Sequence, residues 1–208
     1  MKYISIGLQC SVTNAIRDAN LREYGYPFDW SFSPSKTTYN ILNILINDSI
    51  ENTIEYIIND YSYYILENKE FYRSVNYITN NKINKNTGLG IVHYDINDNY
   101  INSLKRRFQR LLNDIKSNEN LTFIYSDAAS PDTNYYLDGI EYGLDATEYL
   151  LKIYHLLFPI NNNIKILYFC WNNRKKENNI IEYIPFEYKN SWEEVTGIIT
   201  NYLVNSNK

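Results

Sequence analysis

Residues 3–7 make a short β-rich run, and Val12, Ala15, Ile16 and Ala19 then recur at helical spacing, so the chain opens as strand, tight turn and helix with Cys10 in the turn. Residues 24–35 hold Pro27, Pro34 and no period. They read as a loop packed by its own aromatic side chains, with Ser35 placed to cap the next helix. Ile41, Leu42, Leu45 and Ile46, followed by Ile54, Ile57 and Ile58, predict two helices broken near Asp48 and Ser49. The aromatic and β-branched content of residues 61–78 favours a hairpin or irregular insertion, and the Asn-rich stretch 80–86 reads as its exposed end.

Residues 89–94 predict a second strand. Tyr100, Leu104, Phe108, Leu111, Leu112 and Ile115 form the clearest amphipathic stripe in the chain. A third strand at 121–125 leads into a Ser-, Pro-, Asp- and Gly-rich loop at 127–143. A helix then carries Ala146, Tyr149, Leu150, Ile153, Leu156 and Leu157. A fourth strand spans 164–169 and a short fifth 180–184, and a last helix is marked by Trp192, Val195, Ile199, Tyr202 and Leu203. Strands separated by helices signal βα units, hence an α/β fold with three layers: a mostly parallel sheet covered by helices on both faces. The strands at 3–7, 89–94, 121–125 and 164–169 are expected to be central. The whole chain, 1–208, is expected to form one domain with an insertion at about 61–86.

Net charge is -4 with a sequence pI near 5.3, which argues against a nucleic-acid binder, whose footprint is strongly basic. The longest apolar runs fall short of the 18 or more residues of a membrane span. The N-terminal run is too short for a secretory leader, and Gln9 before Cys10 is wrong for lipoprotein cleavage. The expected location is therefore cytoplasmic, of a cell or of an infected host. An excess of Asn and Tyr over Gly and Pro fits AT-rich coding in a low-GC bacterium or a virus. Two cysteines and two histidines scattered over four elements give no zinc spacing, so neither metal nor cofactor is expected.

In an open α/β sheet, ligands sit beyond the carboxyl ends of the strands, where Cys10, His93 and Asp127 fall. A cysteine at the first turn of a helix meets unpaired N–H groups and the positive dipole end, which favour the thiolate and can hold an oxyanion. A buried small hydrophobe is the bland alternative. On an extended strand, His93 and Asp95 project to one face, so Asp95 could orient the imidazole. A phosphotyrosine-phosphatase loop is disfavoured because six residues separate Cys10 from Arg17 and no glycine lies between them. Arg22, just before the Pro27-Phe28-Asp29-Trp30 loop, is the better candidate for gripping an anionic group. Asp29 should be held by backbone or Arg22 contacts, since an acid between Phe28 and Trp30 is costly to bury alone.

Ser5-Ile-Gly-Leu-Gln-Cys10, Leu21-Arg22, Tyr26-Pro-Phe-Asp-Trp30, Val92-His93-Tyr-Asp95, Arg106-Arg107-Phe108 with Leu111-Leu112, and Phe123-Ile-Tyr-Ser-Asp127 lie in that order over residues 3–127. In these blocks the chain resembles a papain-like cysteine peptidase family of unknown function found in bacteria and large DNA viruses. The resemblance implies a thiol nucleophile at Cys10 and a base at His93, in a hydrolase or acyltransferase of peptidase type. Asp95 is expected to orient His93, and Gln9, Arg22, Asp29, Trp30 and Asp127 to contact an unidentified small-molecule or peptide substrate. It also implies a papain-like α+β architecture as the alternative fold. A papain-type cysteine, however, opens a long helix packed on an antiparallel barrel, whereas here a strand runs directly into Cys10. The competing function is a non-catalytic ligand- or partner-binding module with Cys10 structural.

Overall fold

A computed structural model describes residues 1–8, 10–58, 89–91, 96–127 and 145–207, with the backbone of short strands at 82–83, 136–137 and 140–141. In chain order the elements are β1 (Lys2–Ser5), α1 (Ser11–Asp18), β2 (Ser31–Phe32), α2 (Ser35–Asn47), α3 (Ile50–Ile58), β3 (Lys82–Ile83), β4 (Gly90–Ile91) and α4 (Asp98–Lys116). There follow β5 (Leu121–Ser126), β6 (Tyr136–Leu137), β7 (Ile140–Glu141), α5 (Thr147–Leu157), β8 (Ile164–Trp171), β9 (Ile181–Phe186) and α6 (Trp192–Ser206).

The main sheet is parallel throughout, in the order β1-β5-β8-β9. Every residue of β5 is buried, and in β8 only Lys165 is exposed, because a parallel strand covered on both faces must be apolar on both. β9, at an edge, buries only its end residues, Ile181 and Phe186. Helices α1 and α6 pack together as one layer, and α2 packs on α3, α4 and α5 in the other. The fold is thus the three-layer α/β arrangement and not a papain-like α+β one. The α4 stripe lies where the periodicity puts it, with Leu104, Phe108, Leu111 and Ile115 buried. Asn97 caps α4 by accepting from the Tyr100 N–H, and Ser191 caps α6 by accepting from the Glu194 N–H.

Two expectations fail. The segment at 89–94 is not a central parallel strand. Its described part, β4, pairs antiparallel with β2 and β3 in a separate three-stranded sheet. Gly90 fits this pairing, opposite Phe32: a Cβ there would stand 3.0 Å from Phe32 Cβ, so the glycine lets that ring lie against bare backbone. A glycine also offers no side chain to either face of a covered sheet. Ser35 is not a cap but the first residue of α2, and Pro34 occupies the cap position without a side-chain bond. The break at Asp48 and Ser49 stands, and the expected insertion lies outside the described residues apart from β3. Among the described residues, no helix is long and apolar enough to cross a membrane.

Candidate functional site

The turn after β1 is built around a close approach. A Cβ on Gly7 would fall 2.7 Å from Val12 Cγ2 and 3.4 Å from the Ser126 nitrogen, so only glycine lets β1 run between β5 and the first turn of α1. The Leu8 carbonyl accepts from the Ser33 N–H at 3.3 Å, which ties this turn to the loop leading into α2. Cys10 is the N-cap residue of α1, half-buried, and its carbonyl accepts from the Asn14 N–H at 2.9 Å. Burial pushes the thiol above its ordinary pKa and the Glu193 carboxylate adds to this, against a lowering contact with its own backbone. Desolvation of the sulfur's charge thus acts against the help that a helix terminus gives a thiolate. Cys170, in the interior of β8, is pushed up to about 12 by burial.

Asp29 anchors the neighbouring loop. Its Oδ2 accepts from Arg22 at 3.0 Å and from the Tyr26 N–H at 2.9 Å, and its Oδ1 from the Thr13 hydroxyl at 3.3 Å. The anion that Arg22 grips in this structure is thus Asp29, and the Thr13 bond fastens the loop to α1. Burial nevertheless pushes the Asp29 carboxyl upward, so the donors offset desolvation only in part. Trp30, half-buried, has φ 63, a left-handed conformation unusual for a bulky residue. The guanidinium carbons of Arg17 and Arg22 lie 5.8 and 5.9 Å from its ring centre.

Asp127 follows β5 and is 2% exposed. It accepts from the Tyr168 hydroxyl at 2.8 Å, the Trp171 N–H at 2.9 Å and Arg174 at 2.9 Å. These partners belong to β8 and the turn after it, on the opposite flank of β5 from β1. Burial raises its carboxyl to about 6 in spite of Arg174. Arg174 also lies 4.0 Å over the Trp171 ring, and nothing in the sequence marks it as the partner of an acid 47 positions earlier. Gln9, His93 and Asp95 lie outside the described residues. Ile91, two positions before His93, pairs with Ser31, and Ser33 in turn bonds Leu8. His155 is exposed on α5 against Tyr154. Among the described residues, no group of three or more His, Cys, Asp or Glu side chains could hold a metal ion.

Asn14 and Gly197 escaped the sequence reading, and Trp192 figures there only as a marker of the last helix. They line a groove between α1 and α6, one helical turn along from Cys10.

No curated protein and no solved structure matches the chain. A family model does, over residues 1–136, a span that takes in β1 through β5 with Cys10, the Asp29 loop and Asp127. The chain belongs to that family, described as "Putative papain-like cysteine peptidase (DUF1796)".

Proposed function

We propose that the protein is a cysteine-dependent hydrolase or acyltransferase of peptidase type, with Cys10 as nucleophile, His93 as general base and Asp95 orienting the imidazole. The observation that carries this reading is the position of Cys10: a half-buried cap residue where the first parallel strand turns into α1, at the sheet edge where α/β proteins bind ligands. Family membership supports the same chemistry. The raised thiol sharpens the mechanism, since a protonated sulfur needs a base at the moment of attack. His93 takes the Sγ proton as Sγ bonds to the substrate's carbonyl carbon. The C–N or C–O bond to the leaving group breaks, and the leaving group takes that proton. Water or another acceptor, deprotonated by His93, then releases the acyl group and restores the thiol.

The raised thiol is also what favours the competing reading, a binding module with a structural Cys10. Alkylation of Cys10 across pH 5–10, in wild type and His93→Ala, separates the two. The catalytic reading expects wild type to react at lower pH than His93→Ala. Coincident profiles would leave the binding module. With a substrate found by screening acyl and peptidyl esters and amides, Cys10→Ala and His93→Ala should each abolish turnover, and the double variant should lose little more.

A further inference from the structure

The groove between α1 and α6 is open to solvent, offers about 350 Å³, within the range of small-ligand sites, and is lined by Asn14, Arg17, Trp192, Glu193, Thr196 and Gly197 among others. Three observations distinguish it from an ordinary seam between helices. Asn14 is only 5% exposed and lines the groove, and its carboxamide, which bonds no described residue, keeps what exposure it has there, open to a partner. Gly197 lies inside α6, where a glycine weakens the helix. A Cβ there would meet nothing within 4 Å and its φ is not left-handed, so neither packing nor backbone requires it. Trp192 is 37% exposed and presents indole to the same groove.

We propose that this groove is the acyl-side cleft of the Cys10 site and takes a peptide segment whose backbone amide pairs with the Asn14 carboxamide. The proposal rests on Cys10 being the nucleophile. Cys10 and Asn14 are i and i+4 on one helix face, about 5–6 Å apart at Cβ. An extended peptide advances about 3.3–3.6 Å per residue, so an amide held by Asn14 lies one or two residues from the bond presented to Cys10. The chemistry of the walls selects the ligand. A carboxamide is donor and acceptor in one plane, the complement of a peptide group. Arg17 is paired with Asp18 at 3.0 Å and Glu193 is acidic, so the groove holds no free positive charge for a phosphate or sulfate. Asn14, Thr196 and a bare glycine offer no continuous apolar floor for a lipid tail. The Trp192 face suits one adjoining side chain.

The test compares labelling of Cys10 in the full chain by an N-acetyl-dipeptidyl chloromethyl ketone and by iodoacetamide, two electrophiles that differ in their peptide part. Asn14→Ala and Gly197→Leu should slow the peptidyl reagent about tenfold, the worth of a lost amide pairing, and leave iodoacetamide within about twofold. Gly197→Ala should raise the thermal midpoint, which shows that the fold itself does not need the glycine. A parallel NMR titration of Cys10→Ala with N-acetyl-dipeptide amide should shift the Asn14 side-chain amide, and the shift should vanish in Cys10→Ala with Gly197→Leu. Equal sensitivity of both reagents to the variants, with no NMR shift, overturns the cleft and leaves the Cys10 reading standing. An inert Cys10 with a preserved shift removes the nucleophile and retains the groove as a peptide-binding site. An inert thiol without a shift removes both.

Discussion

Gly7→Ala tests whether the strand-to-helix turn is a forced close approach. The new methyl would stand 2.7 Å from Val12 Cγ2, inside the distance that real Cβ contacts reach, and 3.4 Å from the backbone nitrogen of Ser126. Neither neighbour yields easily, because Val12 is β-branched with its χ1 fixed in a helix and is fully buried, and Ser126 is backbone in an interior strand. Overpacking of this kind costs about 1–3 kcal/mol, and two rigid neighbours put Gly7→Ala near 2 kcal/mol. Val12→Ala alone removes two buried methyl groups at about 0.8 kcal/mol each and leaves a cavity, again about 2 kcal/mol. In the double variant the added methyl occupies the space that Val12 vacates, so the total loss should be about 2 and not about 4 kcal/mol. Urea unfolding of the four proteins, read at constant slope, measures the coupling. Additivity within about 0.5 kcal/mol, or a Gly7→Ala cost below about 0.5 kcal/mol, would refute the close approach.

Asp29→Ala strands the buried Tyr26 N–H and frees Arg22 and Thr13. It should cost about 3 kcal/mol in chemical denaturation, whereas Arg22→Lys should cost much less. Asp127 has a native carboxyl raised from 3.8 to about 6. Between about pH 4 and 6 the native state therefore holds a proton that the unfolded chain has released, and stability falls as pH rises through that window by about 3 kcal/mol, then levels. The difference between wild type and Asp127→Asn across that window isolates this group, and a flat or rising difference would sink the assignment. Cys170 should resist alkylation at pH 8 until the protein unfolds, and labelling of native Cys170 at the rate of Cys10 would contradict its burial.

The sequence exposes what a single element decides for itself. The α4 stripe and the apolar runs of β5 and β8 are local patterns whose period or composition already states which faces are covered. Local placement is visible in the same way where a motif fixes it, as with Cys10 after a strand and Asp29 within reach of Arg22. What fails depends on partners far along the chain. Gly90 looks like one weak position in a strand until Phe32 is seen to lie against it. Arg174 meets Asp127 only because β5 and β8 pair in one particular register. Asn14 reads as an ordinary polar position on a helix, and its place in a groove shows only once α6 lies beside it. The surroundings of the Cys10 thiol are divided in the same way: the helix terminus is local, whereas burial and Glu193 are tertiary.

The packing of α1 on α6 sets an order of events during synthesis. The Thr196 hydroxyl lies 3.4 Å from the Ser11 carbonyl across a separation of 185 residues, so Cys10 leaves the ribosome long before the helix packed against α1. Until α6 docks, Glu193 and the layer it belongs to are missing, and the sulfur sits in water at ordinary acidity. The nascent chain therefore carries the Cys10 thiol unsheltered until α6 is made, and docking of that helix is what covers it.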